Sequence, residues 1–162
     1  MSEDDVVDLA RKVGSKCLRK RAVIATAESC TGGGVATAIT HIAGSSQWFD
    51  RAFVTYSYEA KREVLGVSRA SLRKHGAVSE VVVCEMARGA LRQSRADIVV
   101  AITGIAGPTG GTRTKPVGLV WFAWASRDGP VQPRRFHFKG NRAAVRLQSV
   151  AVALRGLSDL LG

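Results

Sequence analysis

Long apolar runs are missing from this chain of 162 residues: none approaches the roughly eighteen that a membrane-spanning helix needs. Cysteine is scarce. Cys17, Cys30 and Cys84 form no C-x-x-C pair, which excludes the disulfide frameworks of small secreted domains. No set of histidines, cysteines or carboxylates stands at ligand spacing, so neither a metal nor another cofactor is expected. The first residues, Met1-Ser2-Glu3-Asp4-Asp5, are acidic where a secretory or mitochondrial leader would be basic. Only 4 prolines accompany 17 glycines and a 46% hydrophobic content, which suits a compact fold and not a disordered chain. The expectation is one domain over residues 1–162, soluble and cytoplasmic, with a core of useful size.

Acidic residues are also few, 13 against 24 lysines and arginines, and the resulting charge of +11 invites a nucleic-acid reading. Its distribution argues against one. The cluster Lys16-Cys17-Leu18-Arg19-Lys20-Arg21 closes a first helix, where cations complement the carbonyl end. A second group runs from Arg134 through Lys139 and Arg142 to Arg146. Aromatics are only 6% and are not interleaved with the basic residues, so no stacking platform for single strands is present. Most of the charge is expected on a solvated face.

Strands and helices alternate along the chain. Ser2, with Asp5 three residues on, marks the start of a helix whose Val6, Leu9, Val13 and Cys17 share a face. Strands are expected at 22–27, 52–57, 98–103, 118–125 and 134–139, and helices at 32–43, 59–65, 69–75, after Ser79, and at 142–161. Asp128-Gly129-Pro130 predicts a turn, making the last two strands an antiparallel hairpin. The pattern predicts a three-layer α/β/α sandwich around a mixed sheet of about five strands.

Between the first strand and the following helix lies Ala27-Glu28-Ser29-Cys30-Thr31-Gly32-Gly33-Gly34. Such a turn presents a nucleophile and aims free N–H groups at developing negative charge. Taken alone it reads first as a glycine-eased turn with Ser29 or Thr31 as helix N-cap. Lys61 and Ser29 lie near the ends of two candidate neighbouring strands, and ligands in α/β sheets gather outside the carboxyl ends of strands. Cys30 competes as nucleophile but needs an adjacent cation, and His41, His75 and His137 stand in no catalytic signature. Glu28, grouped with the substrate-binding residues, is expected to fix the turn by accepting backbone hydrogen bonds. Two decoys fall away. Ser71-Leu72-Arg73-Lys74 has S-x-x-K spacing but no S-D-N or K-T-G partner, and the loop from Gly104 to Gly111 lacks the Gly-Lys-Ser/Thr ending of a P-loop.

Five segments occur in order: the Ser29 turn, Val54-Thr55-Tyr56-Ser57-Tyr58-Glu59-Ala60-Lys61, Gly76-Ala77-Val78-Ser79, Ile102-Thr103-Gly104-Ile105-Ala106-Gly107-Pro108-Thr109-Gly110-Gly111, and Lys115-Pro116-Val117-Gly118. Together they resemble the C-terminal domain of the CinA family, from the first helix to the last. That family's small stand-alone members include nicotinamide mononucleotide deamidases; other members carry a larger N-terminal domain, which is not expected here.

The resemblance implies a metal-free amidohydrolase acting on a small-molecule nucleotide, in which Ser29 is the nucleophile, Lys61 the base and Tyr56 its support. The backbone of Cys30, Thr31, Gly32 and Gly33, with Thr103 or Gly104, would hold the oxyanion, and Arg142 the substrate phosphate. A homo-oligomer is expected. Two positions depart from the family pattern: Tyr58 and Asn141 stand where many relatives have asparagine and aspartate. The second departure would matter if that aspartate orients Arg142. The rival reading is a non-enzymatic competence or DNA-damage accessory protein that binds nucleic acid, supported by charge alone.

Overall fold

The computed structural model describes residues 1–162. Helix α1 (Glu3–Lys20) starts on the expected capping box: the Ser2 hydroxyl accepts from the Asp5 N–H and the Asp5 carboxylate accepts from the Ser2 N–H. There follow β1 (Ile24–Glu28), α2 (Gly34–Thr40), a short 3-10 turn (Ser45–Gln47), β2 (Phe49–Val54), α3 (Tyr58–Leu65), α4 (Arg69–His75) and α5 (Glu80–Arg92). Then come β3 (Ile98–Gly104), β4 (Leu119–Ser126), β5 (Val131–His137) and α6 (Arg142–Leu161). None of these helices is long and apolar enough to cross a membrane.

The sheet order is β2-β1-β3-β4-β5. Strand β1 runs parallel to both β2 and β3, whereas β3–β4 and β4–β5 are antiparallel, so the sheet is mixed and ends in the expected hairpin. Its interior strands are apolar on both faces because helices cover both. Ile98, Val100 and Ile102 of β3 join a core with α1, α2 and α6, and their alternates Val99 and Ala101 join a second core with α3, α4 and α5. Small residues in β1, β3 and β4 face that second core and admit α5 closely. At Gly89 of α5 a side-chain carbon would sit 1.9 Å from the Leu65 carbonyl oxygen.

Local boundaries differ from the expectation in three instructive places. Strand β2 starts three residues early and ends at Val54, so Tyr56 and Tyr58 are not strand residues. The Ser57 hydroxyl accepts from the Ala60 N–H and starts α3 at Tyr58, and this cap overrides the aromatic strand preference around it. Helix α2 is shorter than 32–43, and its N-cap is Gly33 at φ 95°, a left-handed conformation that suits glycine and not Ser29 or Thr31. Strand β5 lies three residues earlier than expected at its start, running through Pro133 on a sheet edge.

Candidate active site

The topology brings three strand ends together. Glu28 pairs with Val54 on one side and with Ile102 on the other, so the carboxyl ends of β2, β1 and β3 lie side by side. Because β1 feeds outward to β2 and the chain returns on its other flank as β3, a crevice opens at this switch point. The ladder extends one residue past the strands: the Ser29 N–H donates to the Ile102 carbonyl at 3.0 Å and the Thr55 N–H to the Glu28 carbonyl at 3.0 Å. Ser29 and Thr55 therefore leave the sheet as neighbours. A cavity of about 250 Å³ opens above them, walled by Ser29, Lys61, Thr103, Gly107 and Arg142 among others.

Helix α3 delivers Lys61. With Ser57 as cap, Lys61 falls one turn into the helix on the face it shares with buried Leu65, and it is only 1% exposed. Its Nζ stands 2.9 Å from the Ser29 Oγ, 2.9 Å from the Thr55 carbonyl oxygen and 3.4 Å from the Tyr56 carbonyl oxygen. A neutral amine has two N–H groups and one lone pair. The two carbonyls accept the N–H groups, which leaves the lone pair for the Ser29 hydroxyl proton. Burial depresses the Lys61 pKa from 10.5 to about 8. Roughly one molecule in ten then carries the neutral amine at pH 7. Neither Arg62 nor any other cation contributes to this depression.

Cys30 is excluded as a rival nucleophile by the same burial, which pushes its thiol up to about 12. None of the three histidines lines the cavity, and no group of three or more histidine, cysteine or acidic side chains converges anywhere in the chain. Glu28 does hold the turn, as expected. Its buried carboxylate accepts from the Val35 N–H at 2.9 Å, the Ala36 N–H at 3.0 Å, and the hydroxyls of Thr26 and Thr31. A carboxylate one residue before Ser29 thus satisfies the free N–H groups of α2 that no cap side chain reaches.

Some candidate ligand-binding residues stand elsewhere. Glu28, Thr31, Gly32 and Gly33 do not line the cavity; Thr31 and Gly32 face a separate groove beside Arg146. The reason is geometric: after Cys30 the chain turns away toward α2 and the first turns of α6. Thr103 and Gly104 do line the cavity, although the Thr103 hydroxyl donates to the Ala77 carbonyl at 2.9 Å and is committed there.

Tyr56 lies in the loop after β2, its side chain at the mouth. Its hydroxyl accepts from Arg142 Nη2 at 3.1 Å, so its carbonyl and not its phenol approaches Lys61. Tyr58 points away from the cavity, and its hydroxyl accepts from the Ala77 N–H at 3.2 Å. Arg142 also donates to the Gly107 carbonyl at 2.8 Å and pairs with no carboxylate. Asn141 does not touch Arg142: its side-chain oxygen accepts from the Ala144 N–H as the cap of α6. Aspartate serves equally as a cap, so this departure leaves the arginine where it is.

Sequence reasoning missed the Thr55 carbonyl, the Tyr56–Arg142 contact and Arg146. Arg146 follows Arg142 by one helical turn, a spacing that places both on one face and was a usable signal. Backbone carbonyls carry no residue-type signal at all.

Comparison with known proteins agrees with this geometry. The model of the CinA C-terminal domain matches residues 6–161. The nicotinamide-nucleotide amidohydrolase PncC of Escherichia coli K12 is 54% identical over 157 residues, covering 97% of this chain and 95% of that protein. The PncC protein of Pseudomonas putida is 48% identical over 97% of this chain and 98% of its own length. Among solved structures, the competence/damage inducible protein CihA from Agrobacterium tumefaciens superposes with a TM-score of 0.96 at 46% identity, over 98% of this chain and 96% of that one. The sequence match across nearly the whole chain and the structural superposition lead to one conclusion: the chain belongs to the CinA C-terminal domain family.

Proposed function

We propose that this protein hydrolyses the carboxamide of a nicotinamide nucleotide, with Ser29 as nucleophile and Lys61 as its base. The activity is that named for its PncC relatives, which match over almost their whole length. The observation that carries the mechanism is the buried 2.9 Å contact between Lys61 Nζ and Ser29 Oγ.

In the first half-reaction the Ser29 oxygen attacks the amide carbon as its proton passes to neutral Lys61. Backbone N–H groups at the turn stabilise the negative charge that develops on the amide oxygen. The Lys61 ammonium then returns the proton to the departing nitrogen, ammonia leaves, and the acyl group stays on Ser29. Water attacks this ester with Lys61 again taking the proton, which releases the nicotinate nucleotide and restores the serine. Each proton that Lys61 accepts it gives back. The Thr55 and Tyr56 carbonyls stabilise the ammonium stage by accepting two of its N–H groups, while the third points at the serine oxygen.

Arg142 is the phosphate-binding residue in this reading. Two of its five N–H donors are spent on Gly107 and Tyr56, and three remain for a phosphate at the exposed rim. A cavity of about 250 Å³ accommodates the reacting ring while the ribose phosphate extends toward that rim. The three cysteines are free and buried, consistent with work in the cytoplasm.

The test is ammonia release from nicotinamide mononucleotide by the purified protein. Ser29→Ala should lower turnover by several orders of magnitude at unchanged thermal stability, while Cys30→Ala keeps most of it. More than a tenth of normal turnover in the Ser29 variant would rule the serine out as nucleophile.

A further inference from the structure

The turn that carries Ser29 leaves the N–H groups of Cys30, Thr31 and Gly33 without a partner in the protein. Of these residues only Cys30 lines the reaction cavity. The direction of its N–H is set by the Ser29–Cys30 peptide, because the C=O and N–H of a trans peptide point opposite ways. That peptide is fixed in turn: the Ser29 carbonyl accepts from the Gly32 N–H at 3.0 Å. The Gly32 N–H belongs to the Thr31–Gly32 peptide, whose carbonyl accepts from Arg146 Nη2 at 3.2 Å. Arg146 Nε donates as well to the Cys30 carbonyl at 3.1 Å. A head-to-tail chain therefore runs from the guanidinium, through the Thr31 carbonyl and Gly32 N–H, through the Ser29 carbonyl, to the Cys30 N–H.

Arg146 is half-buried and pairs with no carboxylate, so no counter-charge offsets its pull on these carbonyls. A cation at the carbonyl end of linked peptides polarises each one and strengthens the donor at the far end. It sits behind the turn, outside the cavity, and touches neither Ser29 Oγ nor Lys61.

We propose that Arg146 is a positioning residue that orients and polarises the Cys30 N–H as a donor to the oxyanion. The proposal rests on the reading of Ser29 as nucleophile. A merely structural arginine, clasping α6 to the turn, would predict a loss of folding without a change in chemistry.

The experiment uses Arg146→Met and Arg146→Lys with nicotinamide mononucleotide and its thioamide analogue, in which sulfur replaces the carboxamide oxygen. Sulfur is larger and a poorer acceptor, so an aligned N–H donor discriminates against it. Arg146→Met should lower kcat on the oxygen substrate about tenfold, less than the hundredfold or more lost on deleting such a donor outright. KM should hold, and the oxygen-to-sulfur rate ratio should shrink by about the same factor as kcat. Arg146→Lys should recover part of the loss, since ammonium restores the charge but not the two-pronged geometry. The pH midpoint should stay in place, because Arg146 is not among the groups that shift Lys61. Both rates come from one sample, so any unfolded fraction cancels in the ratio. An unchanged ratio or a displaced pH midpoint would overturn the proposal. Ser29→Ala, run alongside, separates the two levels: high turnover there defeats the serine reading whatever Arg146 does.

Discussion

Replacing Lys61 by methionine should change how the protein's stability depends on pH, and by an amount the structure fixes. In the unfolded chain the ammonium has its ordinary pKa of 10.5, and in the folded protein burial lowers it to about 8. The folded state therefore binds the proton less tightly, and stability rises with pH wherever the unfolded chain holds more protons. Below about pH 8 the folded protein carries the whole penalty of a buried ammonium, about 3 kcal/mol; through the window from about 8 to 10.5 the penalty is progressively relieved. Between pH 7 and pH 9.5 the relief amounts to about 2 kcal/mol.

Lys61→Met removes this term. It also strips hydrogen-bond partners from the Thr55 and Tyr56 carbonyls and from Ser29, at a cost of about 1 kcal/mol each. Those losses hardly depend on pH, so the informative quantity is the difference between the proteins at each pH. Urea unfolding of both at pH 7 and pH 9.5 measures it, since other titrating groups cancel. The wild type should gain about 2 kcal/mol on the variant across that interval. A difference independent of pH would refute the argument, and with it the claim that a neutral amine is available near neutral pH. Turnover should rise through the same ionisation near pH 8.

Arg142→Ala should weaken kcat/KM for nicotinamide mononucleotide by roughly tenfold to over a hundredfold, the worth of a charge-assisted bond, and far less for the phosphate-free riboside. Equal losses on the two substrates would assign the phosphate to another cation. Duplex DNA should bind weakly and lose affinity steeply with salt, because the charge of +11 is spread over solvated surfaces. Nanomolar, sequence-selective binding at physiological salt would instead favour the accessory-protein role.

Much of the architecture was legible locally. Ser2 with Asp5, and Ser79, begin helices as expected, and in the structure Ser57, Ser68 and Asn141 cap theirs in the same way. The unbroken apolar run of β3 announced a strand covered on both faces, and Asp128-Gly129-Pro130 announced the hairpin. Strand β2 was harder to place. It is an edge strand in which Arg51 Nε donates to the neighbouring Asp50 carboxylate, and the aromatic residues that follow it drew the expected strand forward. The burial of Lys61 was half-visible, since it precedes Leu65 by one helical turn and must share its face.

By itself, then, the sequence determined the order and type of the elements and which residue types were present to do chemistry, but not the cap of α2. The tertiary structure decided which of those residues meet. Ser29 and Lys61 are 32 positions apart and come within 2.9 Å only because β1 and β2 run parallel and end level. The same packing separated Tyr58 from the cavity, turned Thr31 and Gly32 toward Arg146 of α6, and gave Lys61 two backbone carbonyls as partners. Carbonyl and N–H groups are common to nearly every residue, so their direction is a property of the folded chain alone. The lowered lysine pKa belongs to that level too, because desolvation depends on what surrounds an ammonium in space and not on what precedes it in the chain.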